Sequence, residues 1–197
     1  ELWALIDAIC AQEPHLGVSA LVDHPDLSAW FRRHGGREGA QFGGGAGRFR
    51  VTEAAQRRMG CKPYSNFNLV GAAQVGKSSL SGMRMLHRLG HSASVWPIDP
   101  LPAKGPVICE IYTTIAAMAA GRSASRSKMR SATDLDAALH VLGSIPSGLE
   151  GPLDDHTCDA IITAAWLRNA AHDPALWHPR ELTAEIARTE GWTFGAL

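Results

Sequence analysis

The chain carries no excess of charge of either sign: 19 Lys and Arg balance 19 Asp and Glu over 197 residues. A net charge of zero removes the global field that draws proteins to nucleic acid or anionic membranes, and leaves only local patches for such work. Long apolar runs are missing too. None approaches the roughly 20 residues that span a bilayer, and no signal-peptide pattern opens the sequence, so no membrane partner is expected. Cysteine is sparse. Cys10, Cys61, Cys109 and Cys158 stand far apart without a C-x-x-C pair, which argues against a zinc framework. Scattered thiols in apolar surroundings fit reduced side chains and a cytoplasmic setting. What the chain does have is apolar bulk. A hydrophobic fraction of 45% suffices for one compact domain over residues 1–197 with a sizeable core.

Residues 1–12 place Leu2, Leu5, Ile6 and Ile9 at helical spacing. Seven glycines between Gly35 and Gly47 mark a flexible, Gly-rich loop over about 34–48. Further helices are expected over Val51–Met59, Ser79–Leu89 with Gly90 as its stop, and Thr133–Leu142 with Thr133 as its cap. Another is expected from Asp154 or Asp155 to about Ala171, and a last one over Glu181–Thr189. Phe67–Val70 reads as a thin strand, 92–99 as a strand interrupted by Pro97, and 106–114 as a buried strand. Strands alternating with helices give an α/β class.

Gly71, Gly76, Lys77 and Ser78 satisfy G-x-x-x-x-G-K-[ST], the loop whose backbone amides and lysine cradle nucleotide phosphates. A nucleoside triphosphatase also needs an acid ending a second buried strand, and no convincing one follows. The plainer reading is a tight turn with a solvated lysine. The acids attract more attention. Glu110 interrupts an apolar strand, where a carboxylate needs a partner or a metal. Asp155 and Asp159 share a helix face, and His156 lies three residues before Asp159. The acids near the helix start also suit the macrodipole. Together, Glu110, Asp155 and Asp159 are a hard-oxygen set suited to Mg²⁺ or Mn²⁺. Arg122, Arg126, Lys128 and Arg130 form a basic loop, suited to phosphate contacts or merely solvated.

The order "FRVTEAAQRRMGCKPYSNFNLVGAAQVGKSSLSGMRMLHRLG", "VWPID", "VICEIYTT", "DDHTCDAIITAAWLR" and "EGWTFGAL" resembles a domain-of-unknown-function family of predicted nucleases with a ribonuclease H-like fold, over roughly residues 48–197. The resemblance implies a central mixed sheet flanked by helices. It implies catalytic roles for Glu110, Asp155, Asp159 and His156, with Mg²⁺ or Mn²⁺ held by Glu110, Asp155 and Asp159. It implies that the Gly71–Ser78 pattern is a mimic of a nucleotide loop. The superfamily's first-strand Asp has no match here, Asp7 and Asp23 being poorly placed, so the resemblance implies that the N-terminal strands lie before Glu1. Where the family has Pro after E-x-Y, this chain has Thr113.

Three functions follow. The first is a metal-dependent nuclease, with Arg122, Arg126, Lys128 and Arg130 on the nucleic-acid backbone. The second is a non-catalytic binding or assembly protein of the same fold. The third is a P-loop-like nucleotide-binding protein using Lys77.

Overall fold

A computed structural model describes residues 2–71 and 75–197, with the backbone alone at His91. In chain order the helices are α1 (Leu2–Ile9), α2 (Ser19–Val22), α3 (Val51–Arg58), α4 (Gly76–Leu89), α5 (Thr113–Ala119), α6 (Ala132–Val141), α7 (Asp155–Ala170), α8 (Pro174–Trp177) and α9 (Ala184–Thr189). The strands are β1 (Arg32–Arg33), β2 (Arg37–Glu38), β3 (Ser94–Trp96) and β4 (Val107–Cys109). The chain is mixed α/β, with about 47% helix and 8% strand. It divides into two compact units: Glu1–Arg50, Tyr64–Val95 and Pro100–Ile108 form the first, and Val51–Pro63, Trp96–Asp99 and Cys109–Leu197 form the second. No helix among the described residues is long and apolar enough to cross a membrane.

In place of one central mixed sheet, the described strands form two two-stranded ladders, β1–β2 and β3–β4. The apolar run 106–112 is the reason the sequence suggests more. Only Val107–Cys109 pairs in a ladder, and all three residues are half-buried. Ile111 is exposed, and the chain enters α5 straight after Tyr112. Thr113, which replaces the expected proline, is the first residue of that helix.

The first unit is built on α1 and α4. Ile6, Cys10, Val18 and Leu21 are buried together, with Ile9, Leu80 and Met83 packed against them. Leu2 and Leu5, read as part of the same stripe, are exposed. Met83, with Leu80, thus turns α4 onto α1. Arg84, fully buried, donates from Nε to Asp7 Oδ1 at 2.8 Å and from Nη1 to the Gly17 carbonyl. Arg88 Nη2 reaches the same Asp7 oxygen at 2.9 Å. These two guanidiniums, Arg88 first, hold the Asp7 carboxyl below its ordinary value. Asp7 is therefore the anchor of a helix pair.

The Gly-rich stretch begins in a short hairpin and is largely exposed. β1 and β2 pair antiparallel, Phe42 is fully buried, and the Arg32 guanidinium lies 4.7 Å from the Phe42 ring centroid. Phe67–Val70 is not a strand: Asn68 makes only an isolated parallel bridge to Arg32. Gly76, the first residue of α4, is held against this segment, and a Cβ there would lie 2.3 Å from the Asn66 carbonyl oxygen. Close backbone approach is thus what that glycine serves. With no strand in front of it, the segment lacks the setting of a nucleotide loop; Ala72, Ala73 and Gln74 lie outside the described residues.

The second unit packs α5 and α6 on α7. Asp154 caps α7, its carboxylate accepting from Thr157 N at 2.9 Å. Ser131, not Thr133, caps α6. The C-terminal "EGWTFGAL" is core: Trp192, Thr193, Phe194 and Ala196 are buried. Trp96, Trp166 and Trp177 all meet the Phe194 ring, with centroids 5.8, 5.6 and 4.4 Å away.

Candidate functional site

Glu110 stands just past β4 and is solvent-exposed. Its position is fixed from the C-terminal tail. The Thr193 hydroxyl donates to Glu110 Oε1 at 2.6 Å, and Phe194 N donates to the Glu110 carbonyl at 2.8 Å, within a parallel bridge between Glu110 and Thr193. Thr193 is itself tied to α3, because its N–H donates to Thr52 Oγ1 at 3.0 Å. Thr52 and Thr193 are fully buried, and Glu53 and Gln56 of the same helix are nearly so. The start of α3 is held by the Glu190 carboxylate, which accepts from Val51 N at 2.7 Å. A chain of hydrogen bonds therefore runs from Thr52 through Thr193 to one carboxylate at the surface.

Asp155 and Asp159 are one turn apart on α7, as expected, and each meets a cation of the 121–131 loop. Lys128 Nζ lies 2.6 Å from Asp159 Oδ2, and Arg130 Nε lies 3.1 Å from Asp155 Oδ1. The spacings explain the match. Four helical residues rise about 6 Å, which sets the two carboxylates one turn apart along the loop. D-x-x-x-D on the helix therefore meets K-x-R on the loop. Arg122 is turned to the loop itself, with Nε donating to the Arg126 carbonyl at 2.9 Å and Nη1 lying 3.6 Å from Asp134 Oδ1. Arg126 sits in a 3-10 turn of the same loop, and His156 is exposed in the first turn of α7.

Two members of the basic loop and two of the acidic set thus neutralise each other. Among the described residues, no group of three or more His, Cys, Asp and Glu side chains gathers to hold a metal ion. The remaining acid of the set, Glu110, is exposed and accepts from the Thr193 hydroxyl; its carboxylate is of the hard-oxygen type. Sequence reasoning singled out Glu110 but not Thr193 or Thr52. A threonine carries no signal of its own, and its burial emerges only when α3 and the tail are brought together. No family model, curated protein or solved structure matches this chain.

Proposed function

We propose that the chain is a metal-dependent phosphodiesterase acting on nucleic acid, with Glu110 as the carboxylate that meets Mg²⁺ or Mn²⁺ and Thr193 as the residue that positions it. One observation carries the reading. Three of the motifs that underlie the family resemblance, R-x-T-E, E-x-Y and the C-terminal W-T-F-G, supply Thr52, Glu110 and Thr193 to one hydrogen-bonded chain, across separations of 141 and 83 residues. A bound divalent ion would supply charge stabilisation at the phosphate. The protein's part is to hold Glu110 oriented, through the Thr193 hydroxyl that donates to Oε1. Four cysteines present as free thiols suit a reducing, cytoplasmic setting.

The test is cleavage of single- and double-stranded DNA and RNA with Mn²⁺ or Mg²⁺. Glu110→Gln is expected to abolish cleavage. Thr193→Val, which removes only the positioning hydroxyl, should cost about 10- to 100-fold in metal affinity or activity. Cleavage that survives Glu110→Gln unchanged would refute the assignment.

The pairing of Asp155 and Asp159 with Arg130 and Lys128 favours a second reading, a non-catalytic binding or assembly protein of the same fold. In that case Mn²⁺ elicits no cleavage at all, and the acids of α7 act on stability alone.

A further inference from the structure

We infer that the cleft of the first unit between the β1–β2 hairpin and the start of α4 binds a phosphate group, a property separate from the Glu110 reading. The cleft measures about 140 Å³ and is lined by Ser19, Asp23, Arg33, His34, Arg37 and Lys77, among others. Three permanent cations therefore face a single carboxylate.

The hairpin is built in a way that repulsion alone would disfavour. Arg33 stands directly opposite Arg37 in the antiparallel register, and like charges in that position destabilise a strand pair. The turn joining them is tight, with Gly35 and Gly36 both at positive φ, a conformation that glycine adopts without strain. Asp23 Oδ1 answers both arginines, at 3.0 Å from Arg33 Nη1 and 3.7 Å from Arg37 Nη1. One shared carboxylate offsets one guanidinium and leaves the second; the Lys77 ammonium, from the first turn of α4, adds positive charge that Glu13, held by Ser19 N, offsets in part. Arg33 Nε is buried and has no hydrogen-bond partner among the described residues, so a donor remains in hand. Local rules broken in this way concentrate at functional sites.

Size and charge select the ligand. The volume lies below the roughly 300–1,000 Å³ of pockets that enclose a drug-sized molecule, so the cleft takes one oxyanion with the remainder of its molecule in solvent. The uncompensated positive charge matches a phosphate monoester or free phosphate, which carries about −1.5 to −2 at neutral pH, better than a carboxylate. The grip comes from hairpin side chains, unlike the backbone cradle of a nucleotide loop.

The experiment is calorimetric titration of the full chain with inorganic phosphate and, in a second arm, a nucleoside 5′-monophosphate, with sodium chloride as control. Both phosphate probes should bind. Arg37→Gln and Lys77→Met, each at an exposed position, should each weaken binding about tenfold by removing one charge-assisted contact. Asp23→Asn should tighten it, since the opposing carboxylate is gone. Circular dichroism establishes that the variants are folded. Binding by phosphate alone assigns a free-anion site, and binding by the monophosphate alone assigns an ester site; either supports the inference. No heat with either probe, or wild-type affinity in both Arg37→Gln and Lys77→Met, overturns it.

Discussion

Gly195 has no room for a side chain. Its φ is +87°, and a Cβ would lie 2.6 Å from the Trp166 ring and 3.3 Å from an Ile115 methyl carbon. Gly195→Ala is therefore expected to destabilise the chain by about 1–3 kcal/mol through overpacking, with backbone strain added; a urea midpoint equal to that of wild type would count against this packing. Asp7 makes a different residue-scale prediction. Hydrogen bonds from Arg88 and Arg84 lower its carboxyl pKa from the ordinary 3.8. A carboxyl depressed on folding contributes stability that is fully present above the unfolded value and is lost as pH falls through the folded one. Stability should thus fall below about pH 4, and Asp7→Asn should lower stability at neutral pH while flattening that acid-side decline. Urea titrations between neutral pH and the acid limit would show the two slopes, and equal slopes would rule Asp7 out as a contributor.

At the scale of elements, the ladder of α7 against the 121–131 loop makes the next prediction. Lys128 is half-exposed while Asp159 is largely covered, so the pair should behave as a surface ion pair, worth about 0.2–1 kcal/mol and weakened by salt. A double-mutant cycle of Lys128→Ala with Asp159→Ala measures that coupling directly; a coupling of zero at low salt means that the two side chains are solvated independently. The helices themselves were legible in the sequence. Apolar spacing and end signals gave α3, α4, α6 and α7 to within a few residues, and Asp154 was readable as a cap because its oxygen reaches the orphan amide three residues on. The strands were legible in place but not in extent: β3 and β4 fall within the stretches 92–99 and 106–114 but are three residues each, and Phe67–Val70 is not a strand. An apolar run such as 106–112 looks the same whether it lies in the middle of a sheet or pairs for three residues and turns into a helix. The site was legible in the same partial way. Glu110 stood out as a charge among apolar neighbours. Nothing local marks Thr52 or Thr193 as its support, and the cations that would meet Asp155 and Asp159 could be named but not paired.

The whole chain is interleaved, and this limits how it can be cut. The second unit draws on Val51–Pro63 and Trp96–Asp99 as well as on Cys109–Leu197. A fragment of residues 109–197 keeps α5, α6 and α7 but loses Thr52, which holds the Thr193 amide, and Trp96, whose ring meets Trp177 and Phe194 at 5.5 and 5.8 Å. Removing an aromatic of this size from a core typically costs about 3–5 kcal/mol, against a total stability of only about 5–15 kcal/mol for a domain. The fragment also loses the Val51–Glu190 and Arg58–Glu181 contacts that tie α3 to the C-terminal region. It is expected to retain helical circular dichroism from α5 and α6 packed on α7 but to unfold without a cooperative transition, and its near-ultraviolet tryptophan signal should be weak. A sharp urea transition in the 109–197 fragment, with native-like aromatic ellipticity, would show instead that the α5–α6–α7 packing is self-sufficient and that α3 and Trp96 serve the Glu110 site rather than the fold.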